Sequence, residues 1–222
     1  MGFYRRVKYF LVHTLKFTNK EAQKLIEEGK VSIDGITVFD NCQLNDASEI
    51  KVNGEVVRMR KEFVYLLFNK PVGFESTLKR TTLQSIYPFF KDLKGLSIAG
   101  RLDKASEGLL LLSNDGKWVE NLCNPKFEKE KEYIVTLDKT VTNEFIERFK
   151  NGVAIDKIVT KKCICEKINN NTIKVVLKEG KNRQIRKMCK VLGNEVSNLK
   201  RIRIADFLLA DIQPGKFEFT II

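Results

Sequence analysis

The amino-acid sequence predicts an α+β protein in two parts, residues 1–58 and 62–222. Three observations carry that expectation. The first part holds two helical apolar patterns followed by hairpin signals. Further on, Leu109-Leu110-Leu111-Leu112 reads as a strand covered on both faces, because a half-exposed strand would alternate polar with apolar residues. Finally, Glu130 to Thr136 alternates at the period of a strand, whereas Asn182 to Gly193 repeats its apolar residues at the period of a helix.

Val7, Phe10, Leu11 and Leu15 fall at helical spacing and predict the first helix. Thr18-x-x-Glu21 is a capping box and opens a second helix whose apolar stripe is Ala22, Leu25 and Ile26. Gly29 sits where a left-handed C-terminal cap belongs. Lys30 to Ile33 alternates into the Asp34-Gly35 turn, and Ile36-Thr37-Val38 returns as the second arm of a hairpin. A last strand of this part runs from Glu49 to Val52 and reaches Asn53-Gly54. Residues 58–62, Arg-Met-Arg-Lys-Glu, make a short polar connection.

Phe63 to Phe68 is an apolar strand that stops at Asn69-Lys70-Pro71-Val72-Gly73, a turn sequence. The four-leucine strand follows Gly100-Arg101-Leu102-Asp103 and ends at an Asn114-Asp115-Gly116 turn. Gly100 and Gly108 bracket Asp103, so the backbone can bend sharply there and another chain segment can come close. Alternation puts Lys131, Tyr133 and Val135 on one strand face and Glu132, Ile134 and Thr136 on the other. Thr142 to Gly152 reads as a helix. In the last helix Ile185, Met188, Cys189 and Leu192 form an apolar stripe, and Arg183, Arg186, Lys187 and Lys190 a basic stripe beside it. Asn182 is its expected N-cap and Gly193 its stop; Lys200, Arg201 and Arg203 follow on a strand.

Charge points to an anionic partner. Lys plus Arg number 40 against 28 Asp plus Glu, a formal net charge of +12. The excess is local: residues 157–203 carry fourteen Lys or Arg against three Glu, a net of +11, while residues 1–60 carry only +2. Like charges one turn apart repel, so the basic stripe costs stability unless acids or phosphates face it. No apolar stretch approaches the ~20 residues of a membrane span. Arg5, Arg6 and Lys8 interrupt the apolar run that a signal peptide needs. Five scattered cysteines suit a reducing cytosol, so a cytoplasmic location is expected. Cys163-x-Cys165 has no second pair and His13 is the single histidine, so neither a zinc site nor a paired-histidine site is expected. There is no Walker loop and no Gly-x-Gly-x-x-Gly. Nothing suggests a coiled coil, and a monomer is expected.

The run from Gly100 to Gly116 resembles the catalytic motif of pseudouridine synthases, RNA enzymes that convert uridine to its C5-linked isomer. Its details are similar to the S4-domain-containing rRNA branch (RsuA-like, RluB/RluF type). The helices and Asp-Gly hairpin of residues 4–57 resemble an S4 domain. They depart from it at Arg6-Val7-Lys8-Tyr9, where S4 sequences usually show Arg-Leu-Asp-Lys, and at Thr18-Asn19, where they show Ser-Arg. With a net charge of only +2 this implies a weak RNA contact. The Lys-Pro-x-Gly turn, the Lys131-x-Tyr133 strand, the Asn-Arg-Gln-Ile-Arg helix and the Leu-Lys-Arg-x-Arg strand also match the family. Asn194 stands where relatives usually carry His or Tyr. Residues 130–162 look more like the branch that modifies 23S rRNA than its small-subunit relative.

The resemblance implies an S4-like RNA-binding domain over residues 1–58. A catalytic domain over 62–222 would follow, built on a mixed, mostly antiparallel sheet with flanking helices. It makes Asp103 the catalytic carboxylate and Arg101 the side chain that helps displace the base. Tyr133 would stack on the flipped uracil, and Arg186 would pair with Asp103 and keep it ionised. Arg183, Lys187, Lys190, Lys200, Arg201 and Arg203 would hold RNA phosphates. Glycosidic cleavage, rotation of the uracil and rejoining through C5 need no oxidant, phosphate donor or carrier, so no cofactor is expected. The expected substrate is structured RNA, 23S rRNA first, with 16S rRNA or a tRNA as alternatives. A non-catalytic RNA-binding or ribosome assembly factor would explain the charge. It would leave the combination of Asp103, Tyr133 and Arg186 without a reason to occur together.

Overall fold

A computed structural model describes residues 6–45, 47–80 and 82–222. The chain divides into two compact units, with the boundary between Phe63 and Val64.

The first unit contains α1 (Val7–His13), α2 (Asn19–Glu27), β1 (Val31–Ile33), β2 (Ile36–Val38), β3 (Ile50–Val52) and β4 (Glu55–Arg58). The capping box forms as expected: the Thr18 hydroxyl accepts the Glu21 amide at 3.2 Å, and the Glu21 carboxylate accepts the Thr18 amide at 2.7 Å. Val7, Leu11, Ala22, Ile26, Val31 and Ile50 are fully buried together, so the helices cover one face of the sheet β2-β1-β3-β4. Asn53-Gly54 does not end the unit. Both residues have positive φ, +51° and +84°, the geometry of a tight hairpin turn, and the chain returns as β4.

The second unit contains β5 (Tyr65–Lys70), β6 (Ser97–Ala99), β7 (Glu107–Ser113), α3 (Gly116–Cys123), β8 (Lys131–Leu137), α4 (Asn143–Lys150), β9 (Ala154–Ile155), β10 (Ile158–Val159), β11 (Ile164–Lys167), β12 (Thr172–Leu177), α5 (Gln184–Val191), β13 (Val196–Ile204), β14 (Phe207–Leu208) and β15 (Phe217–Thr220). Nine strands form one sheet along the path β11-β12-β8-β13-β7-β5-β15, with β14 on β13 and β6 on β7. Its ladders are antiparallel except β13/β7. The expected mixed, mostly antiparallel α+β architecture is the one the chain adopts.

The four leucines explain why β7 sits in the middle. Leu110 and Leu112 pack with Leu66, Phe68, Val135 and Phe149 on one face. Leu109 and Leu111 pack with Leu122, Ile204 and Ile212 on the other, and all four leucines are at 0% exposure. Each such burial is worth about 1.5–3 kcal/mol relative to solvent. Asn114-Asp115-Gly116 begins a helix that the turn reading did not foresee. The Asp115 carboxylate accepts the amides of Lys117 and Trp118 at 3.0 and 3.3 Å and so caps α3.

Candidate active site

The parallel pair β13/β7 sets Arg201 beside Gly108. A Cβ on Gly108 would lie 2.2 Å from the Arg201 carbonyl oxygen, so only glycine allows this approach. The consequence is that Arg201 reaches the segment carrying Asp103. Its Nε donates to the Leu109 carbonyl at 2.8 Å and its guanidinium to the Gly100 and Arg101 carbonyls at 2.8 and 3.4 Å.

Three other groups fix the same segment. The buried Ser76 hydroxyl donates to the Leu102 carbonyl at 2.8 Å and accepts the Leu102 amide at 3.0 Å. The Gly73 amide donates to the Lys104 carbonyl at 2.8 Å. Arg186 donates to the Ala105 carbonyl at 2.8 Å, the Ser106 hydroxyl at 3.3 Å and the Val196 carbonyl at 3.0 Å. Every brace falls on main chain or on Ser106, so none of them engages the Asp103 carboxylate, whose side chain is 32% exposed.

Asp103 opens onto a cleft of about 610 Å³ lined in part by Arg101, Lys131, Tyr133, Arg183 and Arg201. Tyr133 lies opposite Arg201 in the β8/β13 register and is 8% exposed. Arg101 is exposed at the rim. The structure therefore brings Asp103, Arg101, Tyr133 and Arg183 into one cavity. Lys70, at the end of β5, is fully buried and donates to the Pro71 and Phe74 carbonyls at 2.9 and 2.8 Å. Burial pushes its pKa down to about 8, against the pull of Asp103 and Glu107.

Several expected contacts differ. Arg186 does not pair with Asp103; the carbonyls named above take its guanidinium. The cation on Asp103 is Arg183, at 4.0 Å. Arg183 precedes α5 in a left-handed conformation, φ +50°, and occupies the N-cap position expected for Asn182. It makes no side-chain cap bond; Gln184 accepts the Lys181 amide at 3.0 Å and donates to Glu179 at 2.7 Å instead. Arg201 is 1% exposed and committed to carbonyls, so it cannot reach a phosphate in this conformation. Arg203 is taken by Glu132 and Glu130, at 2.9 and 3.0 Å. On α5, Lys187 pairs with Asp156, and Lys190 lies 3.7 Å from Glu195. Lys200 has no ion-pair partner among the described residues.

Sequence reasoning missed Lys70 and Ser76. The Lys-Pro-x-Gly turn was the available signal for the first, and the second had none. Burial raises the thiols of Cys163 and Cys165 to about 11 and 12, away from the thiolate form a metal needs. Among the described residues no group of three His, Cys, Asp or Glu is placed to hold a metal ion.

Comparison with known proteins gives a consistent picture. Residues 64–190, inside the second unit, match the family described as RNA pseudouridylate synthase. The chain is 38% identical over 202 residues to the dual-specificity RNA pseudouridine synthase RluF of Escherichia coli (strain K12), covering 90% of this chain and 70% of that protein. It is 31% identical over 219 residues to ribosomal large subunit pseudouridine synthase B of Bacillus subtilis, covering 95% and 89%. It is also 31% identical over 218 residues to ribosomal small subunit pseudouridine synthase A of Haemophilus influenzae, covering 96% and 94%. A crystal structure of a pseudouridylate synthase superposes with a TM-score of 0.69 at 29% identity, over 98% of this chain and 96% of that one.

Proposed function

The chain belongs to the RNA pseudouridylate synthase family and is an RNA pseudouridine synthase, and we propose that it isomerises a specific uridine of 23S rRNA. The observation that carries the site assignment is a half-exposed carboxylate on a main-chain-braced loop, sharing one cleft with a tyrosine and two arginines. On this reading the uridine leaves its stack, at a cost of a few kcal/mol, and enters the cleft. Arg101 fills the space the base vacates, and Tyr133 stacks on the flipped ring. Asp103 acts as a carboxylate. Arg183 is the cation beside it, at 4.0 Å, and Arg186 holds the loop. Lys200 is left open as a phosphate contact, Lys187 and Lys190 would be taken from Asp156 and Glu195, Arg183 sits beside Asp103, and Arg201 and Arg203 drop out of that set.

The first unit, two helices on a four-stranded antiparallel sheet, is proposed as the S4-like RNA-binding domain, acting as a monomer in the cytoplasm. Two features support 23S rRNA: the large-subunit layout of residues 130–162 and the similarity to a large-subunit synthase. The equal identity to a small-subunit synthase makes 16S rRNA the second reading.

Mapping pseudouridine in total RNA from cells with and without the gene tests this. One 23S position should lose its modification and regain it with the parent gene, but not with Asp103→Asn. That variant keeps shape and hydrogen bonding while losing the charge. Its fold and RNA affinity should stay within a few-fold of the parent. A lost position in 16S rRNA overturns the substrate assignment. Turnover by Asp103→Asn within about tenfold of the parent ends the claim for Asp103.

A further inference from the structure

We propose that Lys131 binds a backbone phosphate flanking the target uridine, in the same cleft as Asp103 and Tyr133. This rests on the reading that the cleft takes a uridine of an RNA strand.

Alternation along β8 places Lys131 on the face of Tyr133, and both line the cleft. The neighbouring acids, Glu130 and Glu132, fall on the other face, where Arg203 takes both. Lys131 is half-buried, and among the described residues no carboxylate lies within ion-pair distance of it. Its Nζ makes one hydrogen bond, to the Lys129 carbonyl at 2.9 Å, so two of its three donors are unspent. Burial, and then the Arg201 guanidinium, push its pKa down. Arg201 brings no compensation, because its own hydrogen bonds go to neutral carbonyls.

A half-buried ammonium with no carboxylate in ion-pair reach is unfavourable, and an anion placed beside it in the cleft relieves that cost. The uracil ring is neutral and cannot supply it. The phosphodiester beside the flipped nucleotide can, because its non-bridging oxygens accept the two free N–H groups. On α5, by contrast, Lys187 and Lys190 already face acids. A phosphate gains less from a cation that it must first take from a carboxylate.

The test uses a synthetic RNA fragment centred on the uridine mapped above, with each flanking phosphate replaced in turn by a neutral methylphosphonate. Lys131→Met should weaken binding about tenfold and flatten the slope of log K against log salt by about one. Turnover at saturating RNA should stay within about threefold. Lys131→Arg should keep most of the affinity, since a phosphate accepts either cation. One of the two methylphosphonates should weaken the parent to a similar degree and add nothing in Lys131→Met. An unchanged salt slope, additive losses at both phosphates, or a collapse in turnover with unchanged affinity overturns the assignment. If Lys131→Met does not fold, Lys131→Gln carries the same cycle. An active parent with additive losses removes Lys131 alone, whereas a parent that forms no pseudouridine in the fragment removes the underlying reading and this one with it.

Discussion

Replacing Arg201 with methionine separates two roles that the sequence could not distinguish. As a phosphate ligand, Arg201 would contribute to affinity and to its salt dependence. As built, the guanidinium donates to the carbonyls of Leu109 and Gly100 at 2.8 Å and, more weakly, to that of Arg101 at 3.4 Å. Two good hydrogen bonds from a charged donor are worth about 1.5–3 kcal/mol each, and the Leu109 carbonyl would be left buried without a partner. Methionine replaces the stem and relieves the cost of burying a guanidinium, which subtracts from the loss. The net expectation is a destabilisation of about 3 kcal/mol, read as a fall in the urea midpoint at constant slope. Because the segment that slackens carries Asp103, the saturated rate should fall by about 10²-fold, the usual cost of about 1 Å of misplacement. The salt slope of RNA binding should not change. A variant of parental stability whose salt slope is flatter by about one would refute this reasoning and return Arg201 to the phosphate contacts. Arg201→Lys should not rescue, since one ammonium cannot reproduce a fork aimed at carbonyls on both sides.

The two helix arginines should part in the same way. Arg183→Ala removes the cation 4.0 Å from Asp103 and should lower the saturated rate far more than affinity, whereas Arg186→Ala should also lower the unfolding midpoint. The reverse pattern would restore Arg186 as the partner of Asp103. Lys187 and Lys190 changed together to alanine should flatten the salt slope by about one to two units with little change in saturated rate; an unchanged slope makes their pairs with Asp156 and Glu195 ordinary surface ion pairs. Lys70 has a folded pKa of about 8 against an ordinary 10.5, so between those values the unfolded chain holds a proton that the folded chain has released. Folding is thus favoured as pH rises through that window, and the parent should gain about 2 kcal/mol relative to Lys70→Met between pH 7.5 and 9.5 in urea unfolding. A difference independent of pH would mean that Lys70 titrates as an exposed lysine does.

What was legible in the sequence was what local period and packing alone decide. Four leucines in a row required cover on both faces, and the structure supplies two separate layers. The Thr18-Glu21 capping box and the Ile185-Met188-Cys189 stripe needed only neighbours along one helix. β4 was missed although Asn53-Gly54 is a strong hairpin signal, because the polar residues that follow looked like a connection. α3 was missed because an Asn-Asp-Gly turn and an aspartate N-cap read alike until the Lys117 and Trp118 amides are seen to point at Asp115. The arginines failed for a different reason. Whether a guanidinium meets a carbonyl, a carboxylate or a phosphate is decided by which strands pair. The β13/β7 contact that internalises Arg201 joins residues 93 positions apart. Composition counted every cation in residues 157–203 as available, while tertiary structure had already committed several.

The committed cations show how the site works. Arg186 and Arg201 hold main-chain carbonyls of the segment carrying Asp103, Ser76 holds the residue before it, and Lys70 holds the carbonyls of Pro71 and Phe74 in the turn whose Gly73 amide reaches Lys104. On the proposed reading, a loop fixed in this way is preorganised for the substrate, the condition under which electrostatic stabilisation is most effective. The same arrangement concentrates positive charge in a poorly solvated region. Within it, Asp103 in the lining of the cleft and Glu107, which also accepts a hydrogen bond from Asn198 at 2.9 Å, are the acids that act on Lys70. Such a site is held together against its own repulsion by the surrounding core, and a polyanion relieves that repulsion on binding. Stability and RNA affinity are then linked: ligand that binds only the folded chain raises the unfolding midpoint by mass action, most steeply at low salt.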